Sequence, residues 1–411
     1  MKKYLLLPLA FLIATCSNNN KEPVIKEIEF VPEMLGLTPG STIAEVNFAW
    51  YSDNGKNSFV RVTKNGTIVS TEKGISGAAS EGKYFHKAMA KNLKPNTEYA
   101  YSVSNDSSKW SVEYKYKTPQ KETFKFAAIG DPQLTTGEQD GTSNWFSPDR
   151  SVALGWKTTV KKITAANVDF ILSTGDQVDS GSNEEEYEKL FAPSELRSIP
   201  IAPTMGNHDR HQIFQYHFNL PNEQNFSADF STETYGNYFY LYNNILFVAL
   251  NTSAWVTSIE EAKPYIENFD ATLAAAKAMY SGKYKWLIVQ HHKSTRSVAS
   301  HSEDSDIQHY IGAGFEKLMK EHDVDFVLAG HDHVYARIKL GNIYYMTLTT
   351  ASGLKYYDLL SRANDQPLSA DNYAQNKIPG YTIFKVNDNV ISVSVYEVDK
   401  RTPIDTFTVA K

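Results

Sequence analysis

The sequence of 411 residues contains a single cysteine, Cys16. An intramolecular disulfide therefore cannot form, and a zinc site built from thiolates is excluded. Basic residues are not in excess, because the formal net charge is −6. This charge gives no support for nucleic-acid binding, which usually leaves a basic footprint. Hydrophobic residues make up 41% of the chain and charged residues 21%, so a packed core is expected.

The N-terminus carries an apolar stretch from residue 4 to residue 14 that is too short to span a bilayer stably. Lys2 and Lys3 precede it, and this pattern predicts a secretory signal. Residues 13–16 resemble the lipobox of bacterial lipoproteins, whose cysteine becomes the acylated first residue. We therefore predict a signal peptide over 1–16, lipidation at Cys16, a polar tether over 17–23 and an exported protein. A lipid anchor would hold it on a bacterial membrane, on the periplasmic side or at the cell surface. The alternative is an ordinary cleaved signal with an incidental cysteine.

Residues 24–118 read as short strands separated by turn signals, of which Asn65-Gly66 is the strongest. The segment Leu93–Val103 resembles the tyrosine-corner strand of fibronectin type III domains, with Tyr99 as the corner residue. We predict a small all-β sandwich here. It would serve as a spacer packed on the next domain, or alternatively as a carbohydrate- or partner-binding module.

From Phe124 onward, strand-like and helix-like segments alternate, which predicts parallel strands covered by helices. The C-terminal part is strand-like throughout, so antiparallel strands should extend the parallel core. We predict an α/β (α+β) domain over 119–411, in which two packed sheets are flanked by helices. The helix candidates are Ser151–Ala166, Asn183–Leu190, Glu260–Tyr280 and Ile307–Glu321.

Five apolar runs in this second region each end in a turn that carries Asp, Asn, Gln or His. In open α/β sheets, ligands collect at the carboxyl ends of the parallel strands, so these side chains should meet at one edge. They are Asp131, Gln133, Asp176, Asp179, Asn207, His208, His291, His292, His331 and His333.

Oxygen and imidazole donors without thiolate suit Mn, Fe, Zn, Ni or Co. The donors are too many for one ion, and two divalent ions about 3.5–4 Å apart form the usual clamp for displacement at phosphorus. Two carboxylates against two divalent ions leave a local charge near +2. This charge favours an anionic substrate such as a phosphate ester, in spite of the negative net charge of the chain.

The order of the motifs resembles that of calcineurin-like metallophosphoesterases. Their pattern is D-x-H or D-x-Q, G-D-x-x-D, G-N-H-D or G-N-H-E, H, and G-H-x-H, and every block is present between residues 131 and 333. A β-sandwich before this domain, together with the block that begins Gly330-His331-Asp332-His333, is similar to purple acid phosphatases. The resemblance implies two mixed β-sheets packed together and flanked by helices.

The resemblance also implies roles for individual residues. One metal would be bound by Asp131 and His333, with Gln133 as a weaker ligand. The other would be bound by Asn207, His291 and His331, with Asp176 bridging the two; His291 is preferred over His292. A metal-bridging hydroxide would attack phosphorus in line. His208 would protonate or stabilise the leaving oxygen, Asp179 would hold His208, and Asn207 and His208 would contact the substrate.

Two departures from the family patterns bear on the metal site. Gln133 stands where many members have a metal-binding histidine, so the first metal would be held more weakly or differ in identity. Asp179 stands where purple acid phosphatases have a tyrosine that ligates ferric iron, so no tyrosinate–iron site is expected.

Together these features predict a dinuclear-metal phosphoester hydrolase, with monoesters favoured over diesters. Its substrate would be a phosphorylated small molecule or polymer, and the oligomeric state stays open. The alternatives are a phosphodiesterase of the same fold, or a surface lipoprotein whose sandwich binds a partner and whose hydrolase domain is inactive.

Overall fold

The computed structural model describes residues 30–136, 152–224, 235–353, 355–360, 373–375 and 379–411. Cys16, the signal peptide and the tether lie outside these residues. Within the described ranges, no helix combines the length and the apolar character needed to cross a membrane.

The N-terminal region forms two packed four-stranded antiparallel sheets, in the orders β1-β2-β6-β5 and β4-β3-β7-β8. The eight strands are β1 Glu33–Pro39, β2 Val46–Ser52, β3 Phe59–Lys64, β4 Thr67–Lys73, β5 Ile75–Ala78, β6 Tyr84–Ala90, β7 Glu98–Ser104 and β8 Tyr114–Lys117. Asn65 (φ 51°) and Gly66 (φ 77°) make the tight turn between β3 and β4. The predicted tyrosine corner is confirmed, because the Lys94 amide donates to the Tyr99 hydroxyl at 3.0 Å.

The second region contains two further sheets, of six strands in the order β11-β10-β9-β19-β20-β21 and seven strands in the order β12-β13-β14-β15-β17-β16-β18. Their strands are β9 Phe124–Ile129, β10 Phe170–Ser173, β11 Ile201–Pro203, β12 Tyr238–Tyr242, β13 Ile245–Ala249, β14 Trp286–Lys293, β15 Phe326–Gly330, β16 Tyr335–Leu340, β17 Ile343–Thr347, β18 Tyr373–Gln375, β19 Gly380–Val386, β20 Val390–Glu397 and β21 Asp405–Ala410. Strands β9, β10 and β11 run parallel, as do β13, β14, β15 and β17, and the remaining pairs are antiparallel. The predicted fold class of two packed mixed sheets is therefore confirmed.

The second region also contains six helices among the described residues. They are α1 Val152–Ala165, α2 Glu184–Phe191, α3 Ile213–His217, α4 Ile259–Met279, α5 Ser305–Gly312 and α6 Phe315–Glu321, with 3-10 turns at Ser194–Arg197 and Ser300–Glu303. Asn183 caps α2 by accepting from the Glu185 amide at 3.1 Å. The single helix expected over Ile307–Glu321 is wrong, because Gly314 adopts φ 110° and separates α5 from α6.

The core between the two sheets is built around a cluster of phenylalanine rings. The Phe126 ring stacks on Phe384 at 4.5 Å and on Phe170 at 5.2 Å between ring centroids, and meets the edge of Phe247 at 5.2 Å. All four rings are fully buried. Burial of large apolar side chains is the main stabilising term in folding, so this layer holds the two sheets at a fixed separation.

The N-terminal sandwich packs against the second region through buried polar contacts. The Tyr51 hydroxyl donates to Glu184 at 3.0 Å, and the other Glu184 oxygen lies 2.7 Å from Nε2 of His217. The His217 ring stacks between Tyr51 and Tyr187, at 4.5 and 4.2 Å between centroids. Since Glu184 is the first residue of α2, this contact fixes the sandwich to the helix that follows the Asp176–Asp179 loop.

Candidate metal centre

The motif residues lie where parallel strands end. Asp131 and Gln133 follow β9, Asp176 and Asp179 follow β10, Asn207 and His208 follow β11, and His331 and His333 follow β15. The two sheets bring these ends to one edge, as the spacing of the motifs predicts.

Five of these side chains are carried by backbone in the left-handed region, with φ values between 41° and 73°: Asp131, Gln133, Asp176, His331 and His333. Residues other than glycine adopt this conformation at a cost of about 1–3 kcal/mol, and such residues cluster at functional sites. These turns are therefore locally unfavourable, and their conformation directs the five side chains toward the edge of the sheet.

Two glycines let the chain pass directly behind the carboxylates. A Cβ at Gly206 would lie 2.1 Å from an Asp176 carboxylate oxygen, and a Cβ at Gly330 would lie 2.5 Å from an Asp131 oxygen. Both distances are far inside van der Waals contact, so only glycine fits at these two positions.

Three donor atoms surround Nε2 of His292, so that four donors converge at one point. Asp176 Oδ2 lies 3.2 Å from this nitrogen, Asn207 Oδ1 3.1 Å and His331 Nδ1 3.2 Å. The other ring nitrogen of His292, Nδ1, donates to the Thr174 carbonyl at 2.9 Å, which fixes the ring with Nε2 directed at the cluster. One carboxylate, one amide oxygen and two imidazoles form a donor set that suits a divalent transition metal.

The choice of His291 over His292 is corrected by this geometry. His291 is fully buried on the opposite face of β14, and its ring lies 4.7 Å from that of Phe315 on α6. Neither of its ring nitrogens has a hydrogen-bond partner among the described residues. Consecutive side chains on a strand point to opposite faces, so only one of the two histidines can reach the site.

A second pair of donors adjoins the first group. His333 Nε2 lies 3.4 Å from Asp131 Oδ1, and His333 Nδ1 donates to the Lys355 carbonyl at 2.8 Å. The His331 amide donates to both Asp131 oxygens at 3.0 Å, which ties the two groups together. Gln133 is fully buried, and its Oε1 has no hydrogen-bond partner among the described residues, as expected of an oxygen kept for a cation. The donor atoms therefore fit a two-metal site.

His208 is oriented by the main chain rather than by a side chain. Its Nδ1 lies 2.7 Å from the Asp179 carbonyl oxygen but 3.5 Å from the Asp179 carboxylate. That carboxylate instead accepts from Gln133 Nε2 at 2.9 Å. The expected pairing of His208 with Asp179 is thus present, although the carbonyl makes the closer contact and leaves Nε2 of His208 for a ligand.

The buried charges at the site are unbalanced in a way that favours a cation. Burial alone would lower the pKa of His292, but the adjacent Asp176 carboxylate raises that pKa to about 9. Burial and the neighbouring His292 hold the pKa of His331 well below its usual value. The site thus attracts positive charge to the carboxylates while keeping His331 as a neutral donor.

Asp209 was not singled out by the sequence, yet it joins two of the motif loops. Its carboxylate accepts from the Gln177 amide at 2.8 Å and from the Gly206 amide at 2.9 Å. The first amide follows Asp176 and the second precedes Asn207, so Asp209 fixes the relative position of two expected ligands.

Four further residues next to the centre were missed from the sequence. His301 Nδ1 lies 2.7 Å from Asp304, and the His301 ring lies 4.4 Å from that of His331. These three residues form a second group whose ligand atoms lie within 4.8 Å of one another. Tyr357 packs on the His301 ring at 4.3 Å, and Lys355 lies two residues earlier in the same segment.

Two protein-family models match the chain. Residues 124–335, just over half of the 411 residues, match the family described as calcineurin-like phosphoesterase. The chain belongs to this family. Residues 32–118 match the family described as purple acid phosphatase, N-terminal domain, and this range coincides with the β-sandwich.

Similar proteins agree with this assignment. The calcineurin-like phosphoesterase chain is 23% identical over 328 residues to the Arabidopsis thaliana protein named probable inactive purple acid phosphatase 1, which covers 72% of this chain and 51% of the relative. The chain thus spans about half the length of the curated relatives it matches. Among solved structures, purple acid phosphatase PPD1 from yellow lupin (Lupinus luteus) has a TM-score of 0.68 at 18% identity, covering 92% of this chain and 74% of the other. PhoD has a TM-score of 0.64 at 13% identity, covering 92% and 90%. At these identities the likeness concerns the fold.

Proposed function

We propose that this chain is a metal-dependent hydrolase of phosphoesters, with monoesters as the preferred class. The observation that carries this proposal is the convergence of Asp176, Asn207, His292 and His331 beside the pair Asp131 and His333. Among the described residues, the packing around these buried donor atoms gives no other reason for bringing them together at the carboxyl edge of the sheet. Two bound metal ions would give that reason.

The residues divide into two groups around the proposed ions. Asp131, His333 and Gln133 would hold one ion, Asn207, His292 and His331 the other, and Asp176 would face both. When bound, the two ions supply Lewis acidity at the phosphoryl group and acidify a water molecule.

The remaining chemistry belongs to side chains around the ligands. The Asp179 carbonyl holds Nδ1 of His208, so Nε2 is free to donate a proton to the leaving oxygen of an ester. The Asn207 amide group would also contact a phosphoryl oxygen. The His301–Asp304 pair, with the two side chains about 26% and 32% exposed, presents a further imidazole at the mouth of the site.

The competing proposals have different consequences. A phosphodiesterase of the same fold would turn over a bis-aryl phosphate faster than an aryl phosphate. A binding module with an inactive hydrolase domain would turn over neither ester, and the name of the Arabidopsis relative describes that protein as a probable inactive phosphatase. The deciding experiment is hydrolysis of both esters by purified protein supplied in turn with Mn, Fe, Zn, Ni and Co.

Export and lipid anchoring at Cys16 remain part of the proposal. Two or more acyl chains on one residue hold a protein firmly, because each buried CH₂ group contributes about 0.8 kcal/mol. A Cys16→Ala variant should move from the membrane fraction to the soluble fraction. If its distribution equals that of the unaltered protein, Cys16 is not the anchor.

A further inference from the structure

The segment that carries Lys355 and Tyr357 lies directly against the candidate metal centre. The Lys355 carbonyl accepts from His333 Nδ1 at 2.8 Å, so the backbone of this residue is fixed next to an expected ligand. The Tyr357 ring lies 5.1 Å from the His333 ring and 4.3 Å from the His301 ring, measured between centroids. The segment therefore covers the Asp131–His333 side of the site.

The Lys355 side chain is held on this side of the site by Tyr357. Its ammonium nitrogen lies 5.6 Å from the centroid of the Tyr357 ring. The carboxylates of Asp176 and Asp179 lie near enough to attract the ammonium. The Tyr357 hydroxyl is a hydrogen-bond partner of the ammonium, and no carboxylate among the described residues lies within ion-pair distance of it.

We propose that the Lys355 ammonium binds a non-bridging phosphoryl oxygen of the substrate and thereby favours phosphomonoesters over diesters. The inference rests on the proposed phosphoesterase function and names the substrate class that this side of the site selects. At pH 8 a monoester carries two negative charges on its phosphoryl group, because its second pKa is about 6, whereas a diester carries one.

The charges around the site explain why a lysine is needed here. Asp179 faces the same region and adds a negative charge that would repel a dianion, and the amide of Gln133 contacts this carboxylate without neutralising it. Lys355 offsets the charge of Asp179. A hydrogen bond between an ammonium and an anionic oxygen is about twice as strong as a neutral one, so the group with more charge on its free oxygens gains more.

The test compares Lys355→Met and Lys355→Arg in full-length, metal-loaded protein. The control is Lys339→Met, because Lys339 also lies over a tyrosine, 5.2 Å from the Tyr344 centroid, but is exposed at the end of β16. For Lys355→Met, we expect kcat/KM for an aryl phosphate to fall about 10- to 100-fold, and that for the bis-aryl diester to change less than about threefold. Lys355→Arg should restore most of the difference, and the control should match the unaltered protein.

Calorimetry provides a readout that does not depend on turnover. Inorganic phosphate at pH 8 should bind the Lys355→Met variant at least about tenfold more weakly, whereas dimethyl phosphate, a monoanion, should bind both proteins alike. An equal loss for both anions, or for both esters, would overturn the inference and assign Lys355 a purely structural role. An unchanged ratio of kcat/KM for the aryl phosphate to kcat/KM for the diester would overturn it as well. If the unaltered protein hydrolyses neither ester, the proposed function fails. The phosphate titration still decides whether Lys355 distinguishes a phosphate dianion from a monoanion.

Discussion

Replacing each of two adjacent histidines by leucine should give opposite results. His292→Leu removes one of the four convergent donor atoms and leaves Asp176 and His331 without their shared neighbour. Loss of residues that merely support metal ligands lowers metal affinity about 10- to 100-fold, so loss of a ligand should cost at least as much. We expect kcat/KM for an aryl phosphate to fall by about 10²-fold or more, and the Mn content to fall from two ions per chain toward one.

His291→Leu should leave both quantities unchanged and should not harm the fold. The ring of His291 is fully buried among apolar neighbours, and neither nitrogen is hydrogen-bonded within the described structure. A buried polar group without a partner costs about 1–3 kcal/mol, which a leucine of similar volume does not incur. We expect the free energy of unfolding to be unchanged or higher by about 1–2 kcal/mol.

The assays are metal analysis after dialysis, steady-state hydrolysis of an aryl phosphate, and urea unfolding of the two variants. The reasoning is refuted if His291→Leu loses metal and activity while His292→Leu keeps them. Equal losses in both would mean that the two faces of β14 are not separated as the geometry requires.

Three further predictions concern other parts of the chain. Burial lowers the pKa of His86 to about 4, whereas the unfolded state has a pKa near 6.5. As the pH falls from 6.5 to 4, the unfolded state therefore gains the proton first, and the free energy of unfolding should decrease by up to about 1.4 kcal/mol per pH unit. Urea unfolding of a His86→Gln variant should show a flatter pH dependence, and an unchanged slope would contradict this. Tyr51→Phe removes a hydroxyl that donates to Glu184 at 3.0 Å, and it should lower the free energy of unfolding by about 1.5–3 kcal/mol. The control Tyr84→Phe changes a side chain that is 37% exposed, and it should leave this free energy unchanged. Equal effects of the two variants would argue against the contact between the sandwich and α2. Gln133→His supplies a stronger metal donor and should raise Mn affinity several-fold in a competition titration, whereas weaker binding would show that Gln133 does not face the metal.

Much of the fold and of the site follows from the sequence because both depend on local signals. Apolar runs that end in Gly and Asp, Asn or His mark buried parallel strands and the edge where they finish. The tyrosine corner at Tyr99 and the cap at Asn183 are likewise short-range patterns, and the structure contains both.

The choice between His291 and His292 depends on which face of β14 each side chain occupies, and the sequence of this strand does not reveal it. Trp286 and Ile288 face the core between the sheets, whereas Leu287 and Val289 face the helices. Because all four residues are apolar, no alternation marks the face that leads to the site.

Other site residues were missed because their positions are set by tertiary contacts. His301 and Tyr357 are 56 positions apart in the chain and belong to no strand-end motif, yet their rings lie 4.3 Å apart. Loop residues of this kind carry no periodicity, and only the packing of the two sheets brings them together.

The central claim is that the carboxyl edge of these sheets binds two metal ions that act on a phosphoester. The most direct measurement is metal content together with turnover, on protein stripped by a chelator and then supplied with Mn. We predict two ions per chain and restored hydrolysis of an aryl phosphate, with both lost in an Asp176→Asn variant. Protein that binds no metal, or that binds two ions and hydrolyses no phosphoester, would contradict the account.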